Sequence, residues 1–353
     1  MFQKIAVLGL GKVGHLAATL LSDAGFQVTG FDARVHGAEP PFARQALDVS
    51  SRADLDVALS KVDAVLSCLP FHLNIGVAQA AHAAGIHYFD LTEDVSVTKE
   101  VRSLAKTAKG LMAPQCGLAP GFIGIVGAHL AQSLETVRSI KLRVGALPRN
   151  PTGLLGYAFN WSPEGVVNEY LNDCEVIEGG ERKWVSSMEW LETVYVEGTR
   201  LEAFTTSGGL GTMCETYHGT VANLDYKTLR YPGHVALMNF FFHELLMRDR
   251  REDAGQILTH AKPPVNDDVV FIHASAEGVD DSGPRRHEFV RAYRPLILAG
   301  EQRTAIAWTT AASACSVIQM TRDGQLPASG FLKQEDIPLD TFQRTSLGGL
   351  FAG

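Results

Sequence analysis

The residues near the N-terminus that could do chemistry are three glycines and one aspartate. Gly9, Gly11 and Gly14 form a Gly-x-Gly-x-x-Gly motif, and Asp32 follows further along the chain. Glycines at this spacing permit a tight turn and let backbone N–H groups approach a pyrophosphate at a helix N-terminus. A carboxylate at the position of Asp32 can accept hydrogen bonds from both hydroxyls of an adenosine ribose. The pattern therefore predicts a dinucleotide site.

The surrounding elements give the motif the context that it needs. An apolar run ends at Leu8, a helical pattern extends from Val13 to Leu21, and Gln27–Asp32 is a second predicted strand. The carboxylate of Asp32 favours NAD because a 2′-phosphate there would face a like charge, while Arg34 leaves NADP open. The cofactor-binding residues predicted for this unit are Gly9, Leu10, Gly11, Lys12, Val13, Gly14, Asp32, Ala33 and Arg34.

Strands and helices continue to alternate as far as about residue 113. This pattern predicts a doubly wound parallel Rossmann sheet, in which ligands lie outside the carboxyl ends of the strands. Further cofactor contacts are therefore predicted where the later strands end. These residues are Asp48, Val49, Cys68, Leu69, Pro70 and Asp90.

The length of 353 residues exceeds what one core usually holds and indicates two domains. We expect a Rossmann domain over residues 1–122 and an inserted α+β substrate or dimerisation domain with a mainly antiparallel sheet over residues 123–303. The remaining segment, 304–353, begins with a helical pattern to residue 323 and is expected to return to the Rossmann domain.

Composition excludes several kinds of partner. A net charge of -8 without a basic run argues against nucleic acid and anionic membranes, and no apolar run is long enough to span a bilayer. The five scattered cysteines and the histidines lack metal-ligand spacing, so no metal site is expected. The chain enters a strand soon after Met1, which leaves no room for a signal peptide and predicts a cytoplasmic location.

Two clusters in the second domain combine charged and aromatic residues. They are 161–165 and 226–234, with sequences WSPEG and YKTLRYPGH. Lys227 and Arg230 in the second cluster are suited to binding a substrate carboxylate. The alternative is that both cations pair with surface acids.

The chain resembles the saccharopine dehydrogenase family, including its lysine 6-dehydrogenases. The resemblance follows the glycine turn with Asp32 and segments 66–70, 85–90, 117–121, 161–165 and 228–234, in order along most of the chain. The TLRYPGH segment, together with Pro120-Gly121, is the more particular feature. Ala119 stands where an acid is expected before Pro120, which leaves the exact substrate open.

The resemblance implies oxidation of a CH–NH group to an imine with NAD or NADP, in a cleft between the domains. L-Lysine 6-dehydrogenase is the first candidate, and saccharopine or carboxynorspermidine dehydrogenase is the alternative. From another class, a synthase, lyase or sensor that retains NAD is possible. The expected partner is a small amino-acid substrate, and a homodimer is expected.

Amine oxidation requires a base, because the nitrogen must lose a proton before hydride leaves. Asp90 and Asp94 are the first candidates and His234 the next. Each has a structural alternative: Asp90 in a helix cap or at the ribose, Asp94 as an N-cap, and His234 in a loop hydrogen bond. Cys116 is a candidate substrate contact or else a buried small hydrophobe.

Overall fold

The computed structural model describes residues 2–35 and 39–352. The chain divides into two compact units. The first comprises Met1–Phe122, Ala299–Glu301 and Ala307–Gly353, and the second comprises Ile123–Leu298 and Gln302–Ile306.

The first unit is built on a parallel sheet. Its strands are β1 (Lys4–Leu8), β2 (Gln27–Asp32), β3 (Ala43–Ala46), β4 (Ala64–Ser67), β5 (His87–Asp90), β6 (Leu111–Ala113) and, late in the chain, β17 (Gly330–Phe331). Among the described residues the order is β17-β6-β5-β4-β1-β2-β3, with parallel pairing between neighbours. Ile5 to Leu8 are completely buried, as expected for a strand covered on both faces. The predicted Rossmann sheet is therefore confirmed.

Helices connect these strands and carry small or apolar residues toward the sheet. They are α1 (Lys12–Asp23), α2 (Arg52–Leu59), α3 (Phe71–Ala84) and α4 (Val95–Ala105), followed late in the chain by α10 (Ala305–Arg322) and α11 (Leu339–Arg344). Gly85, at φ +71°, ends α3 in the left-handed conformation that glycine favours. The sequence pattern predicts the third strand at residues 45–49, but β3 ends at Ala46, so Asp48 and Val49 follow it.

The second unit contains a mixed sheet with helices. Its elements are α5 (Phe122–Gln132), β7 (Thr136–Pro148), α6 (Pro163–Leu171), β8 (Cys174–Glu178), β9 (Glu181–Val185), β10 (Glu192–Val196), β11 (Thr199–Thr205), α7 (Met213–Tyr217), β12 (Asn223–Arg230), α8 (His234–Asn239), α9 (Arg251–Ala261), β13 (Asp268–Asp280), β14 (Gly283–Tyr293), β15 (Leu296–Leu298) and β16 (Glu301–Arg303). The main order is β10-β11-β12-β7-β13-β14, with β8 beside β12 and β9 beside β8. Pairing is antiparallel except between β12 and β7.

Apolar spacing predicts one helix around residues 235–249, but the structure interrupts it. After α8, residues Phe240–Glu244 form a π-helical turn and Met247–Asp249 a 3₁₀ turn. Leu246 between them has φ +57°, a conformation that cannot continue a right-handed helix. The apolar spacing of this segment predicted helix correctly but could not show the break.

Three whole-chain features bear on function. Among the described residues, no helix has the length and apolar character needed to cross a membrane. In the same residues, no group of three or more His, Cys, Asp or Glu is arranged to hold a metal ion. All five cysteines are free thiols.

Candidate functional site

The glycine turn between β1 and α1 is shaped by close packing on one side and open space on the other. Gly9 adopts φ +84°, and its N–H donates to Phe31 O at 2.8 Å. A Cβ at Gly14 would lie 1.8 Å from Gly9 O, whereas a Cβ at Gly11 would meet nothing within 4 Å. Gly11 also caps α1 without a side-chain hydrogen bond. The first N–H groups of α1 thus face room for a pyrophosphate.

Asp32, at the end of β2, is fixed against this turn. Its Oδ2 accepts a hydrogen bond from Leu10 N at 2.7 Å, and its Oδ1 accepts one from Arg34 N at 3.1 Å. The side chain is only partly buried, so its remaining lone pairs can accept ribose hydroxyls. Lys12, Ala33 and Arg34 are exposed.

The residues after β3 and β4 lie at the same edge of the sheet. A Cβ on Gly9 would be 2.9 Å from Cys68 O and 3.1 Å from Leu69 Cδ2, so this segment forms the wall of the turn. Burial and the charge of Asp90 raise the pKa of the Cys68 thiol to about 12. Asp48 accepts hydrogen bonds from Ser50 N and Oγ, which lower the pKa of its exposed carboxyl. Together with Gly11 and Asp32, these residues fit a dinucleotide.

Asp90 lies in the interior and not in an open site. Its side chain has no exposed surface. Oδ2 accepts from Tyr88 Oη at 2.6 Å, and Oδ1 accepts from Thr92 N at 3.0 Å and Gln115 N at 2.8 Å. Burial raises the pKa of Asp90 to about 6. Asp90 thus ties β5 to the segment after β6, and its enclosed carboxyl argues against the roles of base and ribose ligand, which stay predictions.

The segment after β6 is a compact turn that Asp90 helps to hold. Gln115 has φ +66°, and a Cβ on Gly121 (φ +132°) would lie 2.0 Å from Gly117 O. Cys116 is completely buried; its Sγ lies 3.1 Å from Ala113 O, and burial raises its thiol pKa. The thiol is thus a small buried group, the alternative foreseen for it, and a contact with substrate stays a prediction.

Two acids follow Asp90 on the way to α4. Asp94 is the N-cap of that helix, with Oδ1 accepting from Val97 N at 2.8 Å, which is the structural alternative foreseen for it. Glu93 is partly exposed. Burial raises the pKa of Glu93 to about 7, and the charges of Asp94 and Asp90 act in the same direction. Glu93 was not among the residues predicted from the sequence, although it is the third acid within residues 90–94 and could have been named as a candidate base.

A directed hydrogen-bond chain in the second unit contains Arg230 and His234. Arg230 Nε donates to Tyr170 Oη at 2.7 Å, Tyr170 Oη lies 2.9 Å from His234 Nε2, and His234 Nδ1 lies 2.9 Å from Leu155 O. Because the carbonyl can only accept, Nδ1 carries the proton and Nε2 accepts from Tyr170. Burial and the charge of Arg230 lower the pKa of His234 to about 3. His234 is thus a buried neutral group in a structural hydrogen bond, the alternative foreseen for it, and its role as base stays a prediction.

The two aromatic clusters have local structural roles in this chain of bonds. Ser162 caps α6 by accepting from Gly165 N at 3.1 Å, and α6 carries Tyr170. Gly233, at φ +96°, begins α8, and its N–H donates to Glu202 Oε2 at 2.8 Å. These turns set the positions of Tyr170 and His234.

Lys227 and Arg230 do not form one carboxylate-binding pair. They are three residues apart on β12, and side chains of a strand alternate between its faces. Lys227 Nζ contacts Glu192 Oε2 at 3.1 Å and donates to Trp190 O at 2.6 Å, while Arg230 Nη2 lies 4.0 Å from Glu169 Oε2. Arg230 is 2% exposed and stacks over the ring of Tyr157 at 4.7 Å. Lys227 thus pairs with the partly exposed Glu192, whereas Arg230 has buried partners; this separation argues against a shared role, which stays a prediction.

Comparison with known proteins identifies both parts of the chain. Residues 5–113 match the saccharopine dehydrogenase NADP binding domain, and residues 117–350 match the saccharopine dehydrogenase C-terminal domain. The second match alone covers more than half of the sequence.

Two curated relatives are named saccharopine dehydrogenase (NADP(+), L-glutamate-forming). The Schizosaccharomyces pombe protein is 25% identical over 154 residues, which are 42% of this chain and 34% of the relative. The Pyricularia oryzae protein is 24% identical over 203 residues, which are 54% of this chain and 45% of the relative. Both matches thus span less than half of the relative's length.

A solved structure has the same fold over nearly the whole chain. Apo saccharopine dehydrogenase (L-Glu forming) from Saccharomyces cerevisiae aligns with a TM-score of 0.74, covering 98% of each chain at 16% identity. The fold agrees with the Rossmann and mixed sheets described above. By its two matched domains, the chain belongs to the saccharopine dehydrogenase family.

Proposed function

We propose that this chain is an NAD(P)-dependent dehydrogenase that oxidises a CH–NH or CH–NH2 group of an amino acid to an imine. The observation that carries the proposal is the turn in the first unit. There the space beside Gly11, the N-terminus of α1 and the oriented carboxylate of Asp32 together fit a dinucleotide. Membership of a dehydrogenase family supports the same reaction class.

The choice between NAD and NADP depends on the residues around Asp32. Its carboxylate suits two ribose hydroxyls and would repel a 2′-phosphate, which favours NAD. The names of the matched relatives and of the first matched domain specify NADP. Arg34, exposed two residues later, is the cation that could face a 2′-phosphate. Both cofactors therefore belong in the first assay.

We assign Glu93 as the base for the amine. The glycine turn follows β1, and Asp32 ends the neighbouring strand β2. Glu93 follows β5, which lies on the other side of β1, beyond β4. If the adenosine end is held at Asp32, the reacting end belongs on the side of β4 and β5. Glu93 is the partly exposed acid there whose carboxyl has no side-chain hydrogen bond among the described residues.

The reaction removes a proton from nitrogen and a hydride from the adjacent carbon. When bound, the nicotinamide ring accepts the hydride. Glu93 takes the proton from the ammonium group, so that the nitrogen lone pair can form the C=N bond as hydride leaves. A pKa of about 7 leaves roughly half of Glu93 ionised at neutral pH, which suits a base that must also release its proton.

L-Lysine is our first substrate candidate, with oxidation at its ε-carbon and release of ammonia. Saccharopine is the second candidate, and the names of the curated relatives favour it. Because Lys227 and Arg230 have separate partners, they give no ground for preferring either substrate.

The test is a panel of L-lysine, saccharopine and carboxynorspermidine with NAD+ and with NADP+, followed at 340 nm. Steady formation of the reduced cofactor supports a dehydrogenase. Ammonia as product identifies lysine oxidation, and glutamate identifies saccharopine oxidation. Turnover without the reduced cofactor would refute the proposal in favour of a synthase or lyase.

A homodimer and a cytoplasmic location stay predictions. Tyr195 on β10 and the neighbouring Leu191 are 62% and 59% exposed, at an edge strand of the second sheet, which is compatible with self-association. Light scattering of the purified chain tests the dimer.

A further inference from the structure

The sheet of the second unit has a polar face on β7 and β12. Ser139, Lys141 and Arg143 alternate along β7, and in parallel register they pair with Asn223, Asp225 and Lys227 on β12. These six polar side chains lie in register on two central strands, and they form the polar face that a mainly antiparallel sheet can present opposite its apolar one. Arg230 projects from the opposite face of β12, so this region is separate from the hydrogen-bond chain of Tyr170 and His234.

Two cations on this face are almost completely buried. Arg143 is 2% exposed and Lys227 is 5% exposed. The guanidinium of Arg143 contacts Asp225 Oδ1 at 2.7 Å and also binds Glu192, which Lys227 Nζ approaches at 3.1 Å. The opposite charges in these ion pairs neutralise each other, and the four side chains form one wall of a cavity of about 370 Å³.

The acids around this cavity all have cationic partners. Besides Glu192 and Asp225, the lining contains Glu178 and Glu277. Glu178 contacts Lys183 at 2.9 Å, and Glu277 contacts Arg286 at 2.7 Å. The lining therefore presents little uncompensated negative charge.

By contrast, three groups that line the cavity keep donors available. Lys141 and Arg138 form no ion pair within the described part of the chain. The hydroxyl of Ser139, a residue only 4% exposed, has no hydrogen-bond partner among residues 2–35 and 39–352. A buried hydroxyl without a partner is unfavourable unless a ligand or water satisfies it. The unused groups are two cations and a hydroxyl, so their natural ligand is an anion.

We propose that this cavity binds a small oxyanion, a carboxylate or a phosphate group, between Lys141, Arg138 and Ser139. The wall formed by Arg143 and Lys227 is balanced in charge by Asp225 and Glu192, so Lys141 and Arg138 supply the positive charge. Burial and the charge of Arg143 lower the pKa of Lys227. The site does not depend on the proposed dehydrogenase reaction, so it can regulate or anchor a ligand whether or not that reaction is correct.

The test is calorimetric titration of the full chain with inorganic phosphate and, separately, with glutarate at constant ionic strength. We expect saturable binding of at least one anion. Lys141→Gln should weaken it about tenfold or more, because one charge-assisted hydrogen bond is lost. Ser139→Ala, which removes only the hydroxyl, should weaken it by a smaller factor. Lys106→Gln, at an exposed lysine of the first unit, is the matched control and should bind as the unaltered chain does.

Phosphate can also bind at the N-terminus of α1, and the variants distinguish the two positions. Only the cavity site should respond to Lys141→Gln. Binding of phosphate alone identifies a phosphorylated ligand, and binding of glutarate identifies a carboxylate; either supports the proposal. Absence of saturable binding, or equal affinities in Lys141→Gln and Lys106→Gln with both variants folded by circular dichroism, would overturn it.

Discussion

Replacing Arg230 by methionine should destabilise the second unit strongly. Arg230 Nε donates to Tyr170, and Nη1 donates to Thr228 Oγ1 at 2.6 Å and Leu229 O at 2.9 Å. Methionine keeps most of the apolar stem but none of these donors, and Glu169 loses its cationic neighbour. Breaking one side of a buried charged pair typically costs about 3–5 kcal/mol. We expect a loss in that range in the free energy of unfolding.

Urea denaturation followed by tryptophan fluorescence is a suitable assay. Three of the four tryptophans, Trp161, Trp184 and Trp190, lie in the second unit, so the signal reports mainly its unfolding. Arg250→Met is the matched control, because Arg250 is exposed and its contact with Asp253 at 2.6 Å is a surface pair. Such a pair contributes about 0–1 kcal/mol.

A double variant identifies the cause of the loss. Adding Glu169→Gln to Arg230→Met removes the carboxylate that the first substitution leaves without its cation, and should recover part of the stability. The reasoning is refuted if Arg230→Met costs no more than Arg250→Met while the substrate KM rises sharply. That combination would restore Arg230 to the role of carboxylate ligand that its sequence context suggested.

Three further predictions concern the first unit. Glu93→Gln should lower kcat about 10²–10⁴-fold and abolish the activity loss that we expect on acidification through pH 7; Asp94→Asn, which keeps a capping side chain but removes one of the charges that raise the pKa of Glu93, should retain that loss and move it to lower pH. The pKa of Glu93 in the folded chain is raised from 4.5 to about 7, so its stabilising contribution is complete below pH 4.5 and is lost as pH rises through 7. The melting temperature of Glu93→Gln should therefore rise relative to that of the unaltered chain over this pH interval. Asp32→Ser should weaken NAD binding and relax discrimination against NADP in calorimetry; an unchanged preference would remove the ribose assignment. Gly11→Ala should fold normally but bind cofactor poorly, whereas Gly14→Ala should fail to fold stably; full cofactor affinity in Gly11→Ala would refute the open cradle.

The Rossmann half of the fold is predictable because its determinants are local. The turn needs glycine at Gly9, where φ is +84°, and at Gly14, where a Cβ would lie 1.8 Å from a carbonyl oxygen. Both requirements appear in the sequence as glycines at fixed spacing. The role of Asp32 is predictable because this residue ends β2, where a ribose ligand is expected. Strand and helix lengths then imply a parallel sheet, and its carboxyl edge identifies where ligands bind.

The catalytic candidates could not be placed in this way, because burial and partners depend on distant residues. His234 became a structural group only through Leu155 and Tyr170, which are 79 and 64 positions away in sequence. The separation of Lys227 from Arg230, by contrast, could be predicted from the sequence, because residues three apart lie on opposite faces of a strand. The broken helix near Leu246 depends on backbone conformation that apolar periodicity does not encode.

The acids after β5 show how the same local sequence can supply both a structural and a chemical group. Asp90 and Glu93 are three residues apart, and burial raises the pKa of both. Tyr88, Thr92 and Gln115 donate hydrogen bonds to Asp90, which favours its charged form and fixes its position. At Glu93 a hydrogen bond from its own backbone N–H acts in the same direction, but the negative charges of Asp94 and Asp90 oppose it. The charge of Asp90, which holds the turn after β6, therefore helps to keep Glu93 protonated near neutral pH. The proposed chemistry of Glu93 is thus linked to the structural role of Asp90.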